Sequence, residues 1–437
     1  MNRRQQINSY NPNKAFDILI FVGTLLAPSI IGLSLYFLNI FKYPRFLSIG
    51  FIIAIFTFFI TSIIFYTTFK SGLSKVLSNP QFRPSKYSRR SFLILSFLAI
   101  FNFSQLLLMI QMSGGSSLYQ SSVVLQEARS MLMESLRSAF PGFRRIYSIT
   151  SAFLIIAPLY GVYHFRVLSG KEKILLYFCI SLYPATALAY MGRLYAGYMV
   201  LLLFISICTL KINTVNFRST LKKIYVLIIV SFALLFAYGA FRQFSGIGAR
   251  SDRSQIVEKY TMELNSPYDD ILGPVLTTLP GQTFYQSVNY LTRPWYNASV
   301  VLANNNFDPQ PFTLNFYFLS WPITKLSDQY GNYKERLYRV QKFRLDNDLP
   351  SRTWCTAFHS LQMDFGIIFI LPFSCIIAYL SAAALTKGLA NHWLFILGVT
   401  MTLYIPTMFA FSPFNQNSVQ FSVAISGLLL LAQNKSR

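Results

Sequence analysis

Apolar residues run along this chain in blocks of about twenty, separated by short polar gaps. About ten blocks can be marked: 16–39, 46–68, 91–112, 147–165, 174–190, 194–210, 224–241, 363–385, 392–412 and 417–433. A helix rises about 1.5 Å per residue, so roughly 20 apolar residues cross the hydrocarbon core of a bilayer. Inside that core every backbone N–H and C=O must be satisfied within its own segment, which a helix achieves. The pattern therefore predicts an all-α integral membrane protein with about ten transmembrane helices. The first block is too long for the apolar centre of a secretory signal and has no small-residue cleavage site. It reads as a retained anchor helix.

Two intervals break the rhythm. Residues 113–146 contain Val123 to Leu136, where apolar residues recur at helical spacing, and this predicts an amphipathic helix lying on the outer surface. Residues 242–362 form one long segment between blocks seven and eight. A connection of that length is seldom structureless and is usually functional. Within it, Tyr285–Leu302 reads as helical or re-entrant, and Tyr333–Phe343 as a basic amphipathic helix. The chain thus divides into a seven-helix part (1–241), a large, partly helical outer loop (242–362) and a three-helix part (363–437), together forming one structural domain. No internal repeat or low-complexity segment is visible.

The polar gaps carry an asymmetry in charge. Arg3, Arg4 and Lys14 precede the first block, and the 69–90 gap holds Lys70, Lys75, Arg83, Lys86, Arg89 and Arg90 without an acid. Arg166, Lys171 and Lys173 follow block four, Lys211, Arg218, Lys222 and Lys223 follow block six, and Lys435 and Arg437 close the chain. With ten spans all of these fall on one side. Lys and Arg in short loops mark the cytoplasmic face, so both termini are expected there and the long loop on the opposite, periplasmic face. In that loop ten acidic residues nearly balance the bases.

Composition agrees with this picture. The 437 residues are 53% hydrophobic and only 12% charged, too few charges for a water-soluble surface. The net charge of +23 would suggest a nucleic-acid partner, but its placement assigns it to loop topology and anionic lipid heads instead. Of the four cysteines, Cys179, Cys208 and Cys375 lie in apolar runs and only Cys355 is near a loop. Neither a disulfide framework nor a metal-ligand spacing follows. There is no Gly-rich phosphate loop followed by Lys, no Asp-rich metal site and no Ser-His-Asp arrangement, so the sequence asks for no cofactor and no metal.

Chemistry-bearing residues gather at the outer ends of the blocks. Arg193 precedes block six, Arg242 follows block seven, Arg293 lies in Tyr290-Leu291-Thr292-Arg293-Pro294-Trp295, and Arg352 lies before block eight. An Arg at membrane depth costs about 2.5–3.5 kcal/mol on insertion scales and tends to be paired or functional. Its planar donor fork matches phosphate oxygens, so several converging on one cavity would suit a pyrophosphate-bearing lipid. The plainer alternative is that each snorkels to the interface and anchors its helix. Tyr195 and Tyr290 can stack on sugars, although tyrosines at membrane interfaces more commonly form an aromatic belt. Entering block eight, Thr356-Ala357-Phe358-His359 leads to Met363-Asp364-Phe365-Gly366. His359 and Asp364 are the general-base types there. His titrates near neutrality, and Asp364 either shares that role, orients a sugar, or only complements a helix dipole. Five positions apart on a straight helix, they point about 140° away from one another and need not act as a dyad.

The Gly192-Arg193 helix start, Arg242, Tyr290-Leu291-Thr292-Arg293-Pro294 and Thr356-Ala357-Phe358 … Asp364-Phe365-Gly366 together resemble the bacterial O-antigen and oligosaccharide repeat-unit polymerases of the Wzy type. The layout agrees across nearly the whole chain. Where relatives often carry a second Gly soon after Phe-Gly, this chain has Ile367-Ile368-Phe369. The resemblance implies a GT-C-like, metal-independent membrane glycosyltransferase of the bacterial inner membrane. It implies an undecaprenyl-pyrophosphate-linked donor and acceptor as substrates, with a chain-length regulator and a flippase as partners. It also implies His359 or Asp364 as the base, with Arg193, Arg242, Arg293, Arg352, Tyr195 and Tyr290 as substrate-binding residues. Two other readings remain open: an O-antigen ligase acting on lipid A core, which has the same layout, and a flippase or other transporter. Transporters usually show internal repeats and midplane sites, whereas the polar residues here gather at the outer face.

Overall fold

The computed structural model describes residues 14–43, 48–78, 84–112, 141–189, 194–212, 214, 217–226, 268, 270, 279–303, 309–310, 315, 333–346, 357–408 and 412–435. Helix is the only extended secondary structure among them. In chain order the elements are α1 (Lys14–Phe37), α2 (Ile49–Ser78), α3 (Arg89–Met112), α4 (Pro141–Thr150), α5 (Phe153–Tyr163), α6 (Gly170–Ala189) and α7 (Leu194–Lys211). They continue with α8 (Leu279–Ala303), α9 (Tyr333–Asp346), α10 (Ala357–Phe365), α11 (Ile370–Gly388), α12 (His392–Thr402), α13 (Tyr404–Thr407) and α14 (Asn417–Lys435).

Within the described residues the expected apolar blocks become helices, with several shifts. Among the described residues five segments are long and apolar enough to cross a membrane: Ala15–Phe37, Ile49–Ser78, Arg89–Met112, Arg145–Tyr163 and Ile367–Gly388. Ala196–Lys211, His392–Thr407 and Asn417–Gln433 are shorter apolar helices. The second helix outruns its apolar block and carries Lys70 and Lys75 on its last turns. The fourth block is two helices, because the chain turns at Ser151 and Ala152. Asn102 of α3 supports that turn, with Nδ2 donating to Tyr147 O and Thr150 Oγ1, both at 2.8 Å. Of the seventh block, residues 224–226 belong to a helical stretch, 217–226, and the rest lies outside the described residues. The expected surface helix at 123–136 also lies outside them.

The lipid-type surface and the packed surface separate along single helices. On α2, Ile49, Ile52, Phe56, Phe59 and Ile63 are exposed, while Phe51, Ala54, Phe58, Phe65 and Phe69 are buried. An apolar stripe of that kind loses nothing in hydrocarbon, so burial of apolar surface does not drive the helices together there. Close backbone approach does. Helices α11 and α12 form a hairpin in which a Cβ on Gly398 would lie 2.5 Å from the backbone N of Leu385. Asn391 closes the hairpin, its Oδ1 accepting from Trp393 N at 2.9 Å and Leu394 N at 3.3 Å. Helix α11 also packs along α2, and α14 packs against α4, α5 and α12.

The largest departure from the expected layout is α8. It comes from the long 242–362 segment, yet it packs against both α1 and α2. Trp295 is fully buried between Phe51 and Phe58, with ring centroids 6.1 and 5.9 Å away. Tyr43 stacks on Tyr296 at 5.0 Å and shares a 2.7 Å hydroxyl hydrogen bond with Thr292. The helix expected at 285–302 therefore exists, and it belongs to the core of the bundle. The amphipathic helix expected at 333–343 exists as α9.

Candidate functional site at the α8–α10 junction

Helix α10 is short and enclosed. Each residue from Ala357 to Asp364 is buried. The backbone N–H of Ala357 donates to Met408 O at 2.9 Å, which ties the start of the helix to the end of α13. Its other end is stopped by Gly366, at φ +83° and ψ 166°, a conformation open essentially to glycine alone. A Cβ there would also come within 3.2 Å of Pro309 Cγ. The expected eighth span, 363–385, is therefore interrupted. Asp364 lies on the last turn of one helix, which ends at Phe365, and the membrane-length run begins at Ile367.

His359 is 2% exposed and Asp364 0%, so both proposed bases sit inside the protein rather than on an open wall. Asp364 Oδ2 accepts the backbone N–H of Asn315 at 2.7 Å and Asn315 Nδ2 at 3.1 Å. Asn315 Oδ1 accepts the hydroxyl of Ser412 at 2.7 Å. The backbone N–H of Gln310 donates to Met363 O at 2.7 Å. Residues 310 and 315 of the long segment are thus fastened onto the last turn of α10.

Helix α8, which carries Arg293, packs on α10. Arg293 is half-buried, and its Nε is enclosed. Val300 and Val301 of α8, Val340 of α9 and Met363 of α10 form one small core, with Tyr296 and Phe343 against it. Helices α8, α9 and α10 therefore meet at this core. Arg193, Arg242 and Arg352 lie outside the described residues, as do the side chains of Tyr195 and Tyr290, which sit in α7 and α8.

No family model, curated protein or solved structure matches this chain.

Sequence reasoning missed four residues here. Arg336 on α9 is 0% exposed, with Nε and Nη1 enclosed. A guanidinium that deep has to be met by acceptors, because burying an unsatisfied charge is costly. A signal for it existed: Arg336, Leu337, Val340 and Phe343 fall on one face at helical spacing, so the cation belongs to the apolar side. The opposite face, with Glu335, Tyr338, Arg339 and Lys342, lines an open hollow of about 520 Å³. Gln310, Asn315 and Ser412 gave no signal, since their bonds join positions far apart in sequence.

Proposed function

We propose that the protein is a membrane glycosyltransferase that joins undecaprenyl-pyrophosphate-linked oligosaccharide repeat units into O-antigen or a related surface polysaccharide. In this reading the chain crosses the bacterial inner membrane about ten times, keeps both termini in the cytoplasm and works on the periplasmic face. One observation carries it. The helices that carry the two best-described stretches of the polymerase resemblance, α8 with Arg293 and α10 with His359 and Asp364, come from distant parts of the sequence and pack on one another.

The chemistry needs little else. A hydroxyl oxygen at the non-reducing end of the fresh unit attacks the anomeric carbon of the growing chain. The bond from that carbon to the phosphate oxygen breaks, and the lipid pyrophosphate leaves with the electron pair. The hydroxyl proton passes to a base on α10, for which His359 and Asp364 are the two side chains in place. Arg293, with Arg193, Arg242 and Arg352, meets the charge that grows on the departing pyrophosphate, usually the largest catalytic contribution. Burial of α10 keeps water, a competing nucleophile, from the donor. An acceptor reaches His359 only when the packing over α10 opens.

The test is deletion in the host, complementation with the full chain, and a gel of the surface polysaccharide. A single-repeat product in the deletion strain, restored to a ladder, supports the polymerase. Undecorated lipid A core points to a ligase or a flippase and removes the polymerase reading.

A further inference from the structure

The contacts of Asp364 are those of a fastener. One of its carboxylate oxygens takes two N–H groups from a single residue, the main chain and side chain of Asn315, at 2.7 and 3.1 Å. The amide oxygen of Asn315 takes the Ser412 hydroxyl at 2.7 Å. All three residues are buried. An ionised carboxylate only accepts, so the amide has to turn its NH2 toward Asp364 and its oxygen toward Ser412. The reversed amide would set two acceptors against each other in a low-dielectric place, where an unmet polar group is most costly. Three separate parts of the sequence are locked by this relay: residue 315 of the long segment, the last turn of α10, and the turn that leads into α14. The bond from Gln310 N–H to Met363 O sits beside it and adds a second tie from the same segment. The start of α10 is held independently by Met408 O. The helix carrying His359 is therefore pinned at both ends, and Asp364 supplies the side-chain pin.

Resting on the glycan-transfer reading, we propose that Asp364 is a positioning residue: it clamps Asn315, with Ser412, across the end of α10 and so fixes the helix that presents His359, which is then the proton acceptor. The substitution that separates this role from that of a base is Asp364→Asn. A carboxamide keeps an acceptor oxygen for the two Asn315 N–H groups but does not serve as a base near neutral pH. Asp364→Ala removes both roles.

The experiment compares full-length wild type, Asp364→Asn and Asp364→Ala in lipid nanodiscs. Hydrogen exchange is read on peptides covering 309–315 and 357–366, and polymerisation is measured with lipid-linked repeat units across pH. Asp364→Ala should raise exchange in both peptides by about tenfold or more and cut polymerisation by a similar factor, since buried donors lose their acceptor. Asp364→Asn should stay within about tenfold of wild type in both readouts, the loss expected when a charge-assisted bond becomes a neutral one, and its pH–rate profile should keep the wild-type shape. Should Asp364→Ala fail to reach the membrane, Asn315→Ala takes its place, because it removes the side-chain pair and leaves Asp364 intact. Unchanged exchange in every variant overturns the clamp. So does an Asp364→Asn protein with wild-type exchange and no polymerisation, which would make Asp364 the base. Exchange that follows the expected order in a chain whose wild type does not polymerise supports the clamp and removes the glycan-transfer reading instead.

Discussion

A Cβ on Gly50 would lie 2.2 Å from the carbonyl oxygen of Ser299 and 2.7 Å from the backbone N of Ala303. The start of α2 and the end of α8 therefore touch backbone to backbone, and Ser48 Oγ adds a hydrogen bond to the same Ser299 carbonyl at 3.4 Å. Main-chain atoms cannot swing aside as a flexible side chain does. Gly50→Ala should push α8 away from α2 at a cost of about 1–3 kcal/mol, the range for overpacking a filled core. The check is thermal unfolding in detergent, with Gly23→Ala as the control, since nothing lies within 4 Å of a Cβ there. Equal melting temperatures for the two variants would contradict the packing of α8 in the bundle.

Glu172 gives the second prediction. Its Oε2 accepts the Ser169 N–H at 2.8 Å, while Ser169 Oγ accepts the Glu172 N–H at 3.4 Å, a reciprocal cap at the start of α6. The Tyr87 hydroxyl donates to Oε1 at 3.0 Å, and Arg89 lies 3.2 Å from the same oxygen. The Ser169 N–H and hydroxyl, then Tyr87 and Arg89, hold the Glu172 carboxyl below its ordinary value. A carboxyl depressed in the folded state stabilises fully above its unfolded value, and that gain is lost as pH falls through the folded value. Glu172→Gln should therefore melt below wild type at neutral pH. The gap should close as pH drops under the ordinary carboxylate range, about 4. A gap that stays constant from neutral pH to about pH 3 would contradict this assignment.

Membrane character was the most legible property, because hydrocarbon tolerates so few alternatives to a long apolar helix. The same block logic failed at Gly366. Apolar residues continue on both sides of it, so 363–385 scans as one span, and only the positive φ reveals the break. It also missed the true end of α2, where Lys70 and Lys75 are good helix formers in water and carry the helix past its apolar run. For α8 the helix was legible but its place was not: with Arg293 and Pro294 inside it the segment was assigned to the outer loop, while Trp295, Ala298 and Leu302 at helical spacing marked the face that enters the core. The Ser169–Glu172 cap was readable as Ser-x-x-Glu and went unnoticed. The Asp364–Asn315–Ser412 relay was not readable at all, because nothing local specifies a hydrogen bond between residues so far apart.

The arginines supply the third prediction. If Arg193 and Arg352 meet the leaving pyrophosphate, replacing either by Ala should lower chain extension by about 10²–10³-fold, the usual effect of deleting one preorganised donor at a developing anion. Membrane levels should be unaffected. Arg293→Lys should be impaired as well, since an ammonium keeps the charge and loses the planar fork. Polysaccharide ladders, normalised to membrane-protein level, provide the measurement. Wild-type ladders from both Ala variants would remove the pyrophosphate clamp.

His359 carries the last prediction, and it is the sharpest because two explanations of a loss can be separated. His359→Ala should slow transfer by about 10²–10⁴-fold, the range for removing a general base. Loss of a buried imidazole would also leave a cavity in α10, so a drop in rate alone does not distinguish chemistry from packing. Added imidazole does. If His359 takes the acceptor proton, free imidazole should restore part of the rate to His359→Ala in vitro and none to Asp364→Ala, whose defect lies in the clamp. His359→Gln, which fills the space without supplying a base, should remain as slow as Ala and be refractory to rescue. Full activity in His359→Gln would mean that the side chain only packs and that the proton leaves to solvent or to the phosphate.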